Sequence, residues 1–160
     1  MLIMKSDVPE FGKVTINPDW KIAVIRSVWY PEISSQLSSS AVDTLVAAGI
    51  PHANIAMIDA PGSYELPLLC KKALESGADG AIAFGIVVQG ATHHAELVAR
   101  EAAAGCMSTQ LALGKPIVFE VLFVNVLEDA IARAKGPDGK GPLAARTLLT
   151  QLAKLHEMHS

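Results

Sequence analysis

Hydrophobic positions along the chain alternate between two patterns. Four short apolar runs, at residues 21–28 (KIAVIRSV), 54–58, 81–88 (AIAFGIVV) and 117–124 (IVFEVLFV), are separated by longer stretches with apolar residues on a helical period. The run at 81–88 has no charge and no alternation, which suits a central parallel strand covered on both faces. Between the runs, Ile33, Leu37, Ala41, Leu45 and Ala48 recur every three or four residues and stop at Gly49, an amphipathic helix with its terminator. Residues 66–76 predict a short helix closed by Gly77, a helix follows the 81–88 strand to Leu113, and residues 127–134 predict another short one. A Gly- and Pro-containing loop at 135–141 (KGPDGKG) then precedes a last helix from Pro142 to about Met158. Strands alternating with helices call for an α/β fold, a three-layer αβα sandwich around a four-stranded parallel sheet. Residues 1–20, with Pro9, Gly12 and Pro18 among charges, read as an arm free to pair with a neighbouring subunit. Only residues 13–16 could extend there as a strand, and residues 21–160 form one domain.

Candidate chemistry gathers where the apolar runs end. After Val88, the turn Gln89-Gly90-Ala91 leads to Thr92, a candidate N-cap, and to His93 and His94. Free backbone N–H groups at such a helix start, reinforced by the helix dipole, make an anion site at the carboxyl end of a strand. A histidine there can be a solvated capping residue or a proton carrier. Neither histidine has a partner at metal-ligand spacing, so no metal site is expected. An imidazole beside an anion site suggests a phosphorylated substrate. Trp29 and Tyr30 fall on the first strand-to-helix loop, and Pro61-Gly62-Ser63-Tyr64-Glu65 on the second.

Composition narrows the class. With 51% hydrophobic residues among 160 and a mean hydropathy of +0.35, the chain has more apolar surface than a monomer needs, which favours oligomerisation. A formal net charge of −3 offers no basic stripe for nucleic acid. No G-x-G-x-x-G follows the first strand, which disfavours a nicotinamide-binding module. Cys70 and Cys106 lie in apolar helical contexts without C-x-x-C spacing, as buried reduced thiols would. No apolar run approaches a membrane span, and the first residues lack the features of a secretory signal, so a soluble cytoplasmic protein is expected.

Five ordered motifs then carry a resemblance. PGSYELP (61–67), GIVVQGATHHAELV (85–98), PIVFEVL (116–122), AIARA (130–134) and GKG (139–141) resemble the motifs of the 6,7-dimethyl-8-ribityllumazine synthase family. The likeness extends from Lys21 to about Ala153. It implies a flavodoxin-like fold and a transferase of riboflavin biosynthesis that needs no cofactor. Its substrates would be 5-amino-6-(D-ribitylamino)uracil and L-3,4-dihydroxy-2-butanone 4-phosphate, joined through an imine, loss of phosphate and ring closure. By the same resemblance Trp29 stacks on the pyrimidine, and Ser63, Tyr64, Glu65, Ile86, Val87 and Val88 bind the ribitylaminouracil. Ala91, Thr92 and Arg133 hold the phosphate, and His94 rather than His93 transfers protons. Phe119 and Lys140 complete the pyrimidine pocket. Family members assemble as pentamers, decamers or icosahedral shells, with active sites between subunits.

Each assignment has a plainer competitor. Trp29 could be a hinge aromatic, Glu65 and Arg133 helix-end charges suited to the dipole, Lys140 a solvated loop residue and Phe119 core; His156 and His159 carry no expected role. The chain departs from the family at Gln89, where arginine is usual, at Ala95, where a bulky aromatic often stands, and at Phe123-Val124, where two small hydroxyl residues are usual. The stretch from Arg133 to Lys140 is one residue shorter. These departures imply a differently shaped pocket and a different phosphate affinity. A non-catalytic flavin- or lumazine-binding protein, or a shell-forming protein, is the alternative on the same fold, and retention of His94 with Arg133 favours the enzyme. Phe119 falls near the start of its strand, about 15 Å or more from the carboxyl edge at ~3.3 Å per residue. If it belongs to the pocket, a neighbouring subunit must supply it.

Overall fold

A computed structural model describes residues 11–159. Four strands, β1 (Ile22–Ser27), β2 (Ile55–Ala60), β3 (Gly80–Val88) and β4 (Ile117–Val124), form one parallel sheet in the order β2-β1-β3-β4. Five helices connect and follow them: α1 (Pro31–Ala47), α2 (Leu66–Glu75), α3 (His94–Leu113), α4 (Leu127–Ala134) and α5 (Lys140–His159). Helices α1, α4 and α5 cover one face and α2 and α3 the other, so the expected three-layer αβα sandwich is found. β3 lies between β1 and β4 and is buried from Gly80 to Val87. Its Ile82, Phe84 and Ile86 join the α1/α4/α5 core, while Ala81, Ala83 and Val87 join the α2/α3 core. At ~1.5–3 kcal/mol for each large apolar side chain fully buried, uncovering the first face alone would cost a large part of a domain's net stability of ~5–15 kcal/mol. The unbroken apolar run therefore has one stable place, the middle of the sheet. Cys70 on α2 and Cys106 on α3 are both free and buried in the α2/α3 core. Among the described residues no helix is long and apolar enough to cross a membrane.

Several boundaries differ from the sequence reading. Residues 13–16 form no strand; instead Val14 and Ile16 pack on the α1/α4/α5 core, and Trp20 is buried in it. With β2 and β4 holding the two ends of the sheet, a segment without a ladder partner in its own chain stays irregular. The first ten residues of the expected arm lie outside the described residues. β2 starts at Ile55, because Asn54 ends a 3-10 turn and its side chain donates to Pro18 O at 2.9 Å. Helix α5 starts at Lys140 rather than Pro142, so Lys140 belongs to a helical first turn and not to a loop. Pro tolerates the third position of a helix because its missing N–H has no intrahelical acceptor there.

Candidate active site

The chain crosses from β2 over β1 to β3, and loops at the carboxyl ends of these three strands surround the switch point, where sheets of this kind leave a crevice. The first loop is held from below. Ser34 Oγ donates to Ser27 O at 2.7 Å, Trp29 N–H donates to Ser27 Oγ at 3.3 Å, and Val28 N–H donates to Ala60 O at 3.0 Å. Trp29 itself stays 62% exposed, so this large ring is presented to solvent by a braced backbone. Tyr30, which caps α1, has φ 53°, a left-handed conformation costly for a side chain of its size. Such strain is maintained only where the surroundings impose it, and here it turns the chain sharply from β1 into the Pro31 start of α1.

The second loop forms a 3-10 turn at Ser63–Glu65 that runs directly into α2. Ser63 is buried against Gly85 of β3; a Cβ at Gly85 would overlap Ser63 Oγ, so glycine is what allows the turn to sit on the strand. Tyr64 and Glu65 are exposed beside it. The third loop differs by one residue from expectation: α3 begins at His94, the cap position is His93, and no cap side chain bonds the helix. Thr92 Oγ1 accepts from His94 N–H at 3.4 Å, a long contact one step before the cap. Gln89 organises the turn, its side-chain amide donating to Gly90 O at 2.9 Å and to Thr92 O at 3.1 Å.

Together these loops enclose a cleft of ≈ 840 Å³. Trp29, Ser63, Tyr64, Glu65, Ile86, Val87, Val88 and His94 all line it, as a single site requires. His93 does not: its side chain is 93% exposed and lies 3.9 Å from Glu96 Oε2, while Glu96 also binds Arg100 at 2.6 Å. Ala91 and Thr92 sit on the adjoining exposed turn. Leu97, Val98 and Glu101 line the cleft as well, and sequence reasoning did not single them out. Their spacing from His94, at three, four and seven residues, marks one helical face and was the available signal. Tyr30 and Ala95 are further lining residues; small Ala95 is buried there. The ionisable groups in the wall are His94, Tyr30, Tyr64, Glu65 and Glu101, with no lysine or arginine among them.

Three assigned residues lie elsewhere in the chain. Phe119 pairs in register with Ala83, five positions before Val88, which places it about 16 Å from the carboxyl edge. It packs towards the α2/α3 core. Arg133 occupies the last turn of α4, bonded to Asp129 O at 2.9 Å, and α4 leads away from the end of β4. Lys140 starts α5, its Nζ 3.9 Å from Glu120 Oε1. Glu120 is the neighbour of Phe119 on β4, and burial pushes its carboxyl above the ordinary value while the Lys140 charge opposes that shift.

Residues 19–156 match the family model of 6,7-dimethyl-8-ribityllumazine synthase. A protein of that name from Campylobacter fetus subsp. fetus (strain 82-40) is 33% identical over 147 residues, 91% of this chain and 94% of its own. Another, from Clavibacter sepedonicus, is 36% identical over 132 residues, 81% of each chain. A third, from Clavibacter michiganensis subsp. michiganensis (strain NCPPB 382), is 36% identical over 133 residues. The match takes in every strand, all of the cleft and nearly all of α5, and on that ground the chain belongs to the 6,7-dimethyl-8-ribityllumazine synthase family, transferases of riboflavin biosynthesis.

Proposed function

We propose that the carboxyl-edge cleft is the chain's half of an active site, completed by Phe119, Arg133 and Lys140 of a neighbouring copy. As a member of its family the chain condenses 5-amino-6-(D-ribitylamino)uracil with L-3,4-dihydroxy-2-butanone 4-phosphate, releasing phosphate and water and forming 6,7-dimethyl-8-ribityllumazine. In this reading Trp29 stacks on the pyrimidine, and Ser63, Tyr64 and Glu65 with the strand end Ile86-Val87-Val88 hold the ring and ribityl chain. The amine attacks the ketone and water leaves to give an imine; phosphate is eliminated, the enol that results becomes a carbonyl, and the second amine attacks that carbonyl and closes the ring with loss of a second water. His94 at the cleft wall shuttles protons through those steps, beside the turn of Ala91 and Thr92 that receives the phosphate.

The observation that carries the reading is a mismatch of charge. The cleft contains aromatic, hydrogen-bonding and proton-transfer groups, yet its walls have carboxylates and no fixed cation, although the departing group is a phosphate. Arg133, which is not among the residues lining the cleft, supplies the phosphate's cation in this reading, and Lys140 a charge for the pyrimidine. A neighbouring copy bridges the gap, and the exposed Leu97, Met107 and Leu111 along α3 and Met57 on β2 are apolar surface for such assembly. We take residues 1–20 as an arm, of which Val14, Ile16 and Trp20 pack on the chain's own core, and residues 21–160 as the domain, in a homo-oligomer that we place in the cytoplasm and take to be a pentamer. Mixing the purified chain with both substrates should give lumazine absorbance and release phosphate in equal amounts. Binding of ribitylaminouracil without turnover would instead identify a non-catalytic binder.

A further inference from the structure

On β4, Val118, Leu122 and Val124 point into the α1/α4/α5 core, and the position between the first two is Glu120. A carboxylate in that row is out of pattern: its side chain is only 14% exposed, and burial works against its charge. Its partner is equally ill suited to stability. Lys140 is the first residue of α5, where the helix dipole opposes a cation. A feature that is unfavourable twice over is weak evidence for a structural role.

The backbone around Lys140 is immobilised by packing. A Cβ at Gly141 would overlap Ser40 Oγ and Leu37 O, so α5 presses on α1 at the residue following the lysine. What remains adjustable is the lysine side chain, and Glu120 Oε1 is the charged atom near it. Phe119 leaves β4 on one face and Glu120 on the other, and β4 is the last strand of the sheet, so a pocket touched by both Phe119 and Lys140 must straddle its open edge. Resting on the shared-site reading above, we infer that Glu120 is a positioning residue for Lys140, holding its ammonium at the β4 edge towards the pyrimidine substrate in the neighbouring copy's cleft. Arg133 on α4 is occupied by Asp129, and the β3 neighbour in register is the uncharged Phe84, so Lys140 is the charge acting on this carboxylate among the described residues.

Steady-state kinetics on the assembled enzyme test this with Glu120→Gln, Lys140→Ala and the double variant. Glu120→Gln should raise KM for ribitylaminouracil about 2- to 5-fold, the scale of a partly exposed ion pair, with kcat and KM for butanone phosphate little changed. In the Lys140→Ala background the same substitution should add nothing. The wild-type KM should rise on acidification through a pKa above the usual carboxylate range, and the Gln variant should lose that limb. Glu120→Asp, which keeps the charge but withdraws it by one methylene, should fall between wild type and Gln. An undiminished Glu120→Gln effect without Lys140, or a loss confined to kcat, overturns the inference. A Lys140→Ala effect with none from Glu120→Gln overturns it while sparing the shared site. If Lys140→Ala leaves KM unaltered, the placement of Lys140 in a neighbour's pocket fails and the inference fails with it.

Discussion

The carboxyl-edge cleft and the outer edge of β4 are opposites in construction. The cleft is made by three loops that share a sheet edge, is roomy, and holds aromatic rings, carboxylates and an imidazole. The β4 edge has Phe119 on one face, Glu120 and Lys140 on the other, and Arg133 on the following helix. The cleft has room for a flat heterocycle and no lysine or arginine in its walls, whereas the β4 side carries the cations Arg133 and Lys140. Parallel topology explains the separation. Every crossover returns the chain to the amino edge, so a residue early in β4, such as Phe119, begins far from the carboxyl-edge cleft of its own chain.

Separating the two halves genetically should have the largest effect. Trp29→Ala and Arg133→Ala should each be nearly inactive as pure assemblies. In a cyclic ring each interface takes one half-site from each of two chains, so random co-assembly in equal amounts should restore about a quarter of the interfaces. Activity should return after unfolding and co-refolding, and not after mixing preassembled rings. Co-refolded mixtures that remain inactive, with mass spectrometry showing mixed assemblies, would rule out the division between chains.

Within the cleft half, His94→Ala should slow turnover by roughly 10² or less, the lower range for general acid-base assistance, since juxtaposing two reactive substrates already supplies much of the acceleration. His93→Ala should change little, because that ring points into solvent beside Glu96. Greater damage from His93→Ala would reverse the assignment. Trp29→Ala should weaken ribitylaminouracil binding by ~1–3 kcal/mol, the range for a base stacked on an aromatic ring, and leave inorganic phosphate affinity unchanged by calorimetry. Equal losses for both ligands would make Trp29 a structural residue.

The smallest effect belongs to the β4 half and concerns stability. The Glu120 carboxyl is raised above its ordinary value of 4.5 by desolvation, so between that value and its folded pKa the native state holds the proton more tightly than the unfolded chain. Stability from this group is therefore present at acidic pH and lost as pH rises through that window. Thermal unfolding of Glu120→Gln should lack this decline, and parallel pH profiles for the two proteins would contradict the burial of the charge.

Much of the fold was legible in the chain because its signals are local. The uncharged run ending at Val88 could satisfy two apolar faces only as a central strand, and Gly49 and Gly77, both at φ 111°, ended their helices as read. The cleft was legible to the extent that its residues follow strand ends: Trp29, Ser63, Tyr64, Glu65 and His94 each lie within a few residues of an apolar run's close. Other features depended on contacts between distant segments. The α3 cap moved from Thr92 to His93, a choice set by the turn that Gln89 braces. Lys140 moved from loop to helix because α5 is pressed against α1 at Gly141, and Glu101 joined the wall only through the path of α3 over the sheet. Apolar periodicity and turn residues encode which elements form, since each element must bury its own face. Which side chains meet across elements is decided by strand order and helix packing, where no local pattern carries the information.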